Sequence, residues 1–256
     1  MEMQNIVAIV TGGASGLGEA TTRRIVSNGG KVAIFDLNEE RGRALVEELG
    51  EDHVLFLKTN VASGDEVERN VAEAVSVFGK LNTAVNCAGI ATPGKVVSKG
   101  GPMPLDRFEK VIQVNLVGTF NVIRVAAAAM MENEPNADGE RGVIINTASV
   151  AAFEGQIGQA AYSASKGGVV GMTLPIAREF ASSGIRVMTI APGLVETPLF
   201  AGLPEPAQNA LVDMTLFPKR LGRPDEYAKL VESIVTNPLL NGEVIRLDGA
   251  IRMQPK

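Results

Sequence analysis

Short runs of apolar residues alternate with stretches of helical periodicity along the whole chain. The runs are almost continuously apolar, which is typical of parallel strands buried on both faces. With short connections between them, the pattern predicts one doubly wound α/β domain over residues 1–256, with a seven-stranded parallel sheet flanked by helices. The predicted strands are Ile6–Val10, Lys31–Asp36, His53–Thr59, Leu81–Asn86, Val143–Thr147, Ile185–Ile190 and Glu243–Leu247. The predicted helices are Leu17–Asn28, Glu39–Leu49, one N-capped by Ser63 and reaching Phe78, Leu105–Met131, Ala160–Ala181 and Asp225–Thr236.

Three segments interrupt this pattern and predict long loops. Thr92–Pro104 is rich in Gly, Pro and Lys, and Asn133–Gly142 is polar. Thr197–Phe217 contains three prolines. Because long loops at the strand ends of a compact domain are usually functional, we expect residues 197–217 to form a flap over a substrate.

Composition excludes several classes of protein. Lys and Arg number 24 against 29 Asp and Glu, a net charge of −5, and without a basic run we expect no nucleic-acid binding. A single Cys (Cys87) and a single His (His53) exclude disulfide frameworks, zinc clusters and His-based triads, so no metal site is expected. We expect no apolar run to reach the roughly 18 residues of a membrane span. The first strand begins near Ile6, which leaves no room for a targeting segment, and we therefore expect a cytoplasmic protein.

A glycine-rich turn, Thr11–Gly18, joins the first predicted strand to the first helix. Its glycines allow a tight turn close to a pyrophosphate, and the helix N-terminus supplies N–H donors and a positive dipole. Asp36 ends the second strand, where a carboxylate accepts from the ribose hydroxyls of an adenosine. A carboxylate there repels a 2′-phosphate, and none of Ala14, Ser15 and Leu37 offers a compensating positive charge. The segment predicts a dinucleotide site that prefers NAD to NADP.

A second set of residues indicates proton chemistry. Ser149 stands at the end of the fifth strand, at the edge where doubly wound sheets bind ligands. Tyr162 and Lys166 lie one helical turn apart on the same face. A free tyrosine has a pKa of about 10, and we expect the Lys166 ammonium to lower the pKa of Tyr162 by stabilising the phenolate. Ser149 would then polarise the substrate oxygen while Tyr162 moves the proton.

The chain resembles the short-chain dehydrogenase/reductase family over essentially its whole length. The matching motifs are TGGASGLG at Thr11–Gly18, NCAG at Asn86–Gly89, Asn115, Ser149 with Tyr162 and Lys166, and APG at Ala191–Gly193. The resemblance implies a Rossmann-type domain with Asn115, Ser149, Tyr162 and Lys166 as catalytic residues, Asn115 holding a water of a proton relay. It implies substrate contacts by Ser149, Gln156 and Tyr162. It implies cofactor contacts by Gly12, Ser15, Gly16, Leu17, Gly18, Asp36, Asn60, Val61, Cys87, Ala88, Gly89, Tyr162, Lys166, Pro192, Gly193, Val195 and Thr197.

One position departs from the family pattern. Members usually carry Asp after the third strand, where this chain has Asn60. An amide can still meet an adenine amino group, so we expect nucleotide binding to be retained.

Three segments, Gly142–Arg178, Asn133–Pro135 and Asn241–Pro255, resemble one branch of this family more narrowly. Its members oxidise short and branched 3-hydroxyacyl-CoA thioesters with NAD, also accept hydroxysteroids, and form homotetramers. The resemblance implies an acyl-CoA or other small hydroxy or oxo substrate and a homotetramer. Two alternatives stay open: a hydroxysteroid or other secondary-alcohol dehydrogenase with the same chemistry, and a non-catalytic NAD-binding scaffold. The set of Ser149, Tyr162 and Lys166 weighs against the scaffold, since binding alone needs no proton donor.

Overall fold

The computed structural model describes residues 1–198, 212 and 214–255, and in them a parallel sheet lies between two layers of helices. The strands are β1 Val7–Thr11, β2 Lys31–Asp36, β3 Val54–Lys58, β4 Thr83–Asn86, β5 Val97–Ser98, β6 Gly101–Pro102, β7 Gly142–Thr147, β8 Ile185–Pro192 and β9 Val244–Leu247. The helices are α1 Gly16–Ser27, α2 Glu39–Leu49, α3 Gly64–Phe78, α4 Leu105–Ile112, α5 Gly118–Met131, α6 Ala160–Phe180 and α7 Pro224–Thr236.

The main sheet has seven parallel strands in the order β3-β2-β1-β4-β7-β8-β9. Chain order reverses between β1 and β4, and this reversal opens the crevice in which doubly wound folds bind ligands. The predicted strands are confirmed, with ends displaced by one or two residues. Strands β1, β4, β7 and β8 are buried at every position, which explains their continuous apolar runs.

Each face of the sheet has its own hydrophobic core. Ile9, Phe35 and Ile144 pack with residues of α3, α5 and α6 on one face. Ile34 and Ile145 pack with residues of α1, α2 and α7 on the other. Successive residues of a strand point to opposite faces, so a single apolar run contributes to both cores. Helices are thereby held on both sides of the strand ends that form the crevice.

The predicted helix Leu105–Met131 is interrupted by a π-helical turn, Gln113–Val117, between α4 and α5. Such turns occur frequently at functional sites. This 27-residue stretch is long and apolar enough to cross a membrane by length and composition, so the expectation that no segment passes that test is wrong. Half of its most apolar window is buried inside the protein, and Ile123 and Met130 belong to the core beneath the sheet, as in an internal helix.

Of the predicted loops, one contains secondary structure and another lies mainly outside the described residues. Thr92–Pro104 contains a short antiparallel hairpin, β5–β6, which the expectation of a plain loop missed. Gly101, which begins β6 directly after the turn, has a φ of +105°, a conformation that favours glycine. The flap expected at residues 197–217 lies mainly outside the described residues, because 199–211 and 213 are not described.

Glu140 anchors the polar loop before β7 to β8. Its carboxylate accepts from Arg186 Nε at 2.7 Å, and the two side chains are 5% and 8% exposed. The other guanidinium nitrogens of Arg186 donate to the backbone carbonyls of Ile234, Val235 and Leu240. The buried ion pair thus ties this loop, β8 and the end of α7 together.

We expect Glu140→Ala to lower the free energy of unfolding by about 3–5 kcal/mol, because it leaves the Arg186 guanidinium buried without a counter-charge. Urea denaturation followed by circular dichroism measures this loss. Glu39→Ala is the matched control, since Glu39 forms an exposed pair with Arg43 and exposed pairs contribute little. Similar losses in the two variants would contradict the importance assigned to the buried pair.

Candidate active site

The glycine-rich turn lies between the end of β1 and the start of α1, at the crevice. Gly12 and Gly16 adopt positive φ angles of +61° and +53°. Gly18 packs so closely on the backbone of Gly12 that a Cβ would overlap the Gly12 carbonyl oxygen. Ser15 begins α1 without capping it through its side chain, so the first N–H groups of the helix, including that of Leu17, are available to an anion.

Asp36 faces this turn from the end of β2. Its Oδ2 accepts from the Ala14 amide at 3.1 Å and its Oδ1 from the Asn38 amide at 2.9 Å. Each carboxylate oxygen keeps a second lone pair for a ribose hydroxyl. The sequence interpretation missed Arg41, whose Nε donates to the Ala14 carbonyl at 3.0 Å and whose Nη2 donates to Glu19 at 2.9 Å. A positive charge from a residue that the sequence interpretation did not consider therefore lies beside the turn, paired with Glu19.

The residues that follow β3 and β4 border the same crevice. Asn60 closes a local turn by accepting from the Ala62 amide at 3.1 Å, and Val61 is buried beside it. After β4, Cys87 is followed by Ala88, whose amide donates to Thr11 Oγ1 at 3.0 Å and so links β4 to the glycine-rich turn.

Gly89 lies directly beside two of the predicted catalytic residues. A Cβ at Gly89 would be 3.3 Å from Asn115 Oδ1 and 3.5 Å from Lys166 Nζ. The end of β4 thus brings the predicted nucleotide path to the catalytic residues.

Ser149, Tyr162 and Lys166 come together at the carboxyl end of β7. Tyr162 lies close enough to Ser149 for an interaction with that side chain to lower its pKa, and the Ser149 Oγ accepts from the Ala151 amide at 3.1 Å. Lys166 Nζ donates to the Thr147 carbonyl at 2.7 Å and lies 5.8 Å from the centroid of the Tyr162 ring. A half-buried phenol, a half-buried hydroxyl and a buried amine therefore share one site.

Burial dominates the electrostatics of this site. Desolvation raises the pKa of the Tyr162 phenol, and the interaction with Ser149 offsets part of that rise. Desolvation also lowers the pKa of Lys166, to about 8. The expectation that Lys166 lowers the pKa of Tyr162 is wrong for this structure, because the amine donates to the Thr147 carbonyl and stands 5.8 Å from the ring. Tyr162 is therefore a neutral phenol near pH 7, able to donate a proton.

Asn115 lies fully buried in the π-helical turn. Its Oδ1 accepts from the Ile90 amide at 2.8 Å, and its Nδ2 donates to the Ile90 carbonyl at 2.9 Å and to Ser165 Oγ at 3.1 Å. The Asn115 carbonyl accepts from Thr119 Oγ1 at 2.8 Å. These bonds join the loop after β4 to α6, and the relay role of Asn115 stays a prediction.

The segment after β8 closes the crevice opposite the glycine-rich turn. Pro192 ends β8 and is buried, and Gly193 follows it. Val195 is paired in an isolated bridge with the segment that precedes α7. The Thr197 methyl would lie 3.4 Å from a Cβ on Gly16, so the two sides of the crevice approach each other here.

Gln156, predicted to contact substrate, lies in the loop between β7 and α6. Its Nε2 donates to the Gln254 carbonyl at 3.0 Å, and its amide donates to Gln159 Oε1 at 3.0 Å. The structure therefore joins this residue to the C-terminal segment, a contact that the sequence interpretation did not contain.

Tyr227 of α7 was also missed. It is fully buried, and its hydroxyl lies 2.7 Å from Thr147 Oγ1 and accepts from Cys87 Sγ at 3.6 Å. Burial raises the pKa of Cys87 and raises that of Tyr227 well above its ordinary value, so both stay neutral. Because the Thr147 carbonyl holds Lys166, Tyr227 supports the site from the opposite side of the sheet. The sequence feature that could have identified Tyr227 is the occurrence of a tyrosine on a helix face that is otherwise apolar.

Comparison with known proteins agrees with this geometry. Residues 6–208 match the family model described as short chain dehydrogenase. The chain is 57% identical over 255 residues to 3-hydroxyacyl-CoA dehydrogenase type-2 of Homo sapiens, covering 99% of this chain and 97% of that protein. It is 55% identical to the Drosophila melanogaster protein of the same name, covering 99% and 100%. A crystal structure of 3-hydroxyacyl-CoA dehydrogenase type-2 from Mycobacterium avium matches with a TM-score of 0.94 at 46% identity, covering 99% of this chain and 98% of that one.

Proposed function

This chain belongs to the short chain dehydrogenase family, and we propose that it oxidises the hydroxyl of short or branched 3-hydroxyacyl-CoA thioesters to 3-oxoacyl-CoA with NAD. The observation that carries the chemistry is the set of Ser149, Tyr162 and the buried Lys166 beside a glycine-rich turn. The substrate class is supported by 55–57% identity, over nearly the full length of both chains, to proteins named for that activity.

The residues around the crevice fit a nicotinamide dinucleotide. The close packing of Gly18 on Gly12 keeps side chains out of the turn, and the uncapped N-terminus of α1 offers N–H donors to a pyrophosphate. Asp36 retains lone pairs for ribose hydroxyls. When bound, such a cofactor supplies the acceptor for the hydride that leaves the hydroxyl-bearing carbon.

Tyr162 is the group that moves the proton. In the oxidative direction its phenolate removes the proton of the substrate hydroxyl, and Ser149 orients the substrate oxygen. Because burial raises the pKa of Tyr162, the phenolate fraction grows as the pH rises towards that value, which makes oxidation faster in alkaline solution. Below a pH of about 8 the Lys166 amine is mostly protonated. In the reverse direction the neutral phenol donates the proton.

Asp36 supports the choice of NAD. A 2′-phosphate on the adenosine ribose would lie next to the Asp36 carboxylate, and two neighbouring negative charges repel each other. Arg41 lies nearby, but its guanidinium is engaged with the Ala14 carbonyl and the Glu19 carboxylate. Its charge is thus largely neutralised within the protein.

We also propose a homotetramer, supported by apolar side chains exposed on neighbouring helices. Val117 in the π-helical turn, Phe120 on α5 and Leu174 on α6 are 39–49% exposed. Exposed apolar patches of this kind mark interaction surfaces, and symmetric contacts between copies cover them. We expect light scattering of the purified protein to give four times the mass of one chain, and a monomer mass would contradict the proposal.

The proposed substrate predicts a ranking of activities. NADH formation, followed by absorbance, should give a kcat/KM for 3-hydroxybutyryl-CoA and its 2-methyl form about tenfold or more above that for a 17β-hydroxysteroid or simple secondary alcohols, a difference of about 1.4 kcal/mol in transition-state binding. NADP in place of NAD should lower kcat/KM by about tenfold or more, because of the charge of Asp36.

Other rankings of the measured activities would contradict different parts of the proposal. A higher kcat/KM with the steroid or a simple alcohol would overturn the substrate class and leave the proton chemistry in place. No turnover with any of these substrates, together with measurable NAD binding, would favour the non-catalytic scaffold.

A further inference from the structure

Residues 248–255, named here the C-terminal strap, follow β9 and bind the loop that carries Gln156. Gln156 Nε2 donates to the Gln254 carbonyl at 3.0 Å. The Ile157 amide donates to the Pro255 carbonyl at 3.0 Å. Ile251, in the middle of the strap, is fully buried. The strap is therefore packed into the protein at one point and bonded to the loop at two others.

An ion-pair clamp fixes the same loop to the base of the strap. Arg246 of β9 donates to the two carboxylate oxygens of Glu154 at 2.8 and 3.0 Å, and its Nε donates to Asp248 at 2.7 Å. The Arg246 guanidinium also lies 5.2 Å from the centroid of the Phe153 ring. A bidentate pair fixes orientation as well as distance. Arg246 holds the pKa of Glu154 below its usual range, so the clamp stays charged at neutral pH.

The strap reaches other borders of the site as well. The amides of Leu216 and Phe217, at the end of the segment predicted as a flap, both donate to the Gly249 carbonyl, at 3.2 and 3.3 Å. On the far side of the Gln156 loop, the Gly94 amide donates to the Gly158 carbonyl at 2.8 Å. Three segments far apart in the sequence are thus connected through the strap and the loop that it binds.

The position of this loop matters for the proposed reaction because the loop lies between Ser149 and Tyr162 in the sequence. Residues 153–159 connect Ser149 to Tyr162. A displacement of the loop would move the substrate side of the site relative to both side chains. The contacts of the glycine-rich turn with Asp36 and Ala88 do not involve the strap.

We propose that the C-terminal strap holds the substrate wall of the active site, and that Glu154 and Arg246 are positioning residues that keep the loop carrying Gln156 in place beside Ser149 and Tyr162. The inference rests on the proposed function. Loosening the strap weakens the binding of the hydroxy substrate more than that of the dinucleotide. The strap is bonded to the Gln156 loop at two points, whereas among the predicted cofactor contacts it packs against Gly193, through Asp248.

Two variants test this inference by different routes. Deleting residues 254–256 removes both backbone acceptors of the loop, and Glu154→Gln removes the charge of the clamp while keeping the size of the side chain. We expect each variant to raise KM for 3-hydroxybutyryl-CoA about fivefold or more, with KM for NAD changed less than about twofold. Glu48→Gln is the matched control, because Glu48 forms an exposed bidentate pair with Arg23, at 2.6 and 2.8 Å, between α1 and α2.

Equal increases in both KM values, or no increase in the deletion variant, would overturn the inference. Hydrogen–deuterium exchange adds a readout that needs no turnover. The Ile157 amide should exchange faster in the deletion variant than in the full chain, and identical protection would also overturn the inference. Because exchange is measured without substrate, it distinguishes a failure of the strap from a failure of the proposed function.

Discussion

A lysine amine is buried at the carboxyl end of β7, and the surrounding structure offsets the cost of removing it from water. Burying a cation is unfavourable unless hydrogen bonds or charges compensate, and desolvation lowers the pKa of Lys166 to about 8. The Thr147 carbonyl accepts from Nζ at 2.7 Å, and Gly89 places no side chain against it. Tyr227 holds Thr147 from the opposite face of the sheet. The result is an amine of lowered pKa close to the half-buried Tyr162 phenol.

The topology of the sheet brings these groups to one place. The carboxyl ends of β1, β4 and β7 are neighbours, so the glycine-rich turn, Gly89 and Ser149 open onto one crevice. The π-helical turn also contributes to this site. It buries Asn115, whose side-chain amide bonds both the backbone after β4 and Ser165 on α6. Neighbouring strand ends therefore border the proposed nucleotide side, and the β7–α6 loop, which is bonded to the C-terminal strap, borders the proposed substrate side.

Local pattern was sufficient to predict the strands, most helices and the proximity of Ser149, Tyr162 and Lys166. Buried parallel strands are apolar throughout, and Ser149, Tyr162 and Lys166 fall within one short segment. What depends on packing between distant segments was not predicted. The Tyr227 contact with Thr147 spans 80 residues. The raised pKa of Tyr162 comes from burial by the whole fold. The π-helical turn was not predicted because the apolar periodicity of α4 continues through it into α5.

The central claim, that the Tyr162 phenol carries the proton, is tested most directly by Tyr162→Phe, with NADH binding followed by fluorescence and turnover measured in parallel. The substitution removes one oxygen and keeps the ring, so the dissociation constant for NADH should change less than about twofold. Turnover should fall by about 100-fold or more, the range that general acid–base catalysis contributes. Turnover within a few-fold of the unsubstituted protein, with binding unchanged, would show that another group moves the proton.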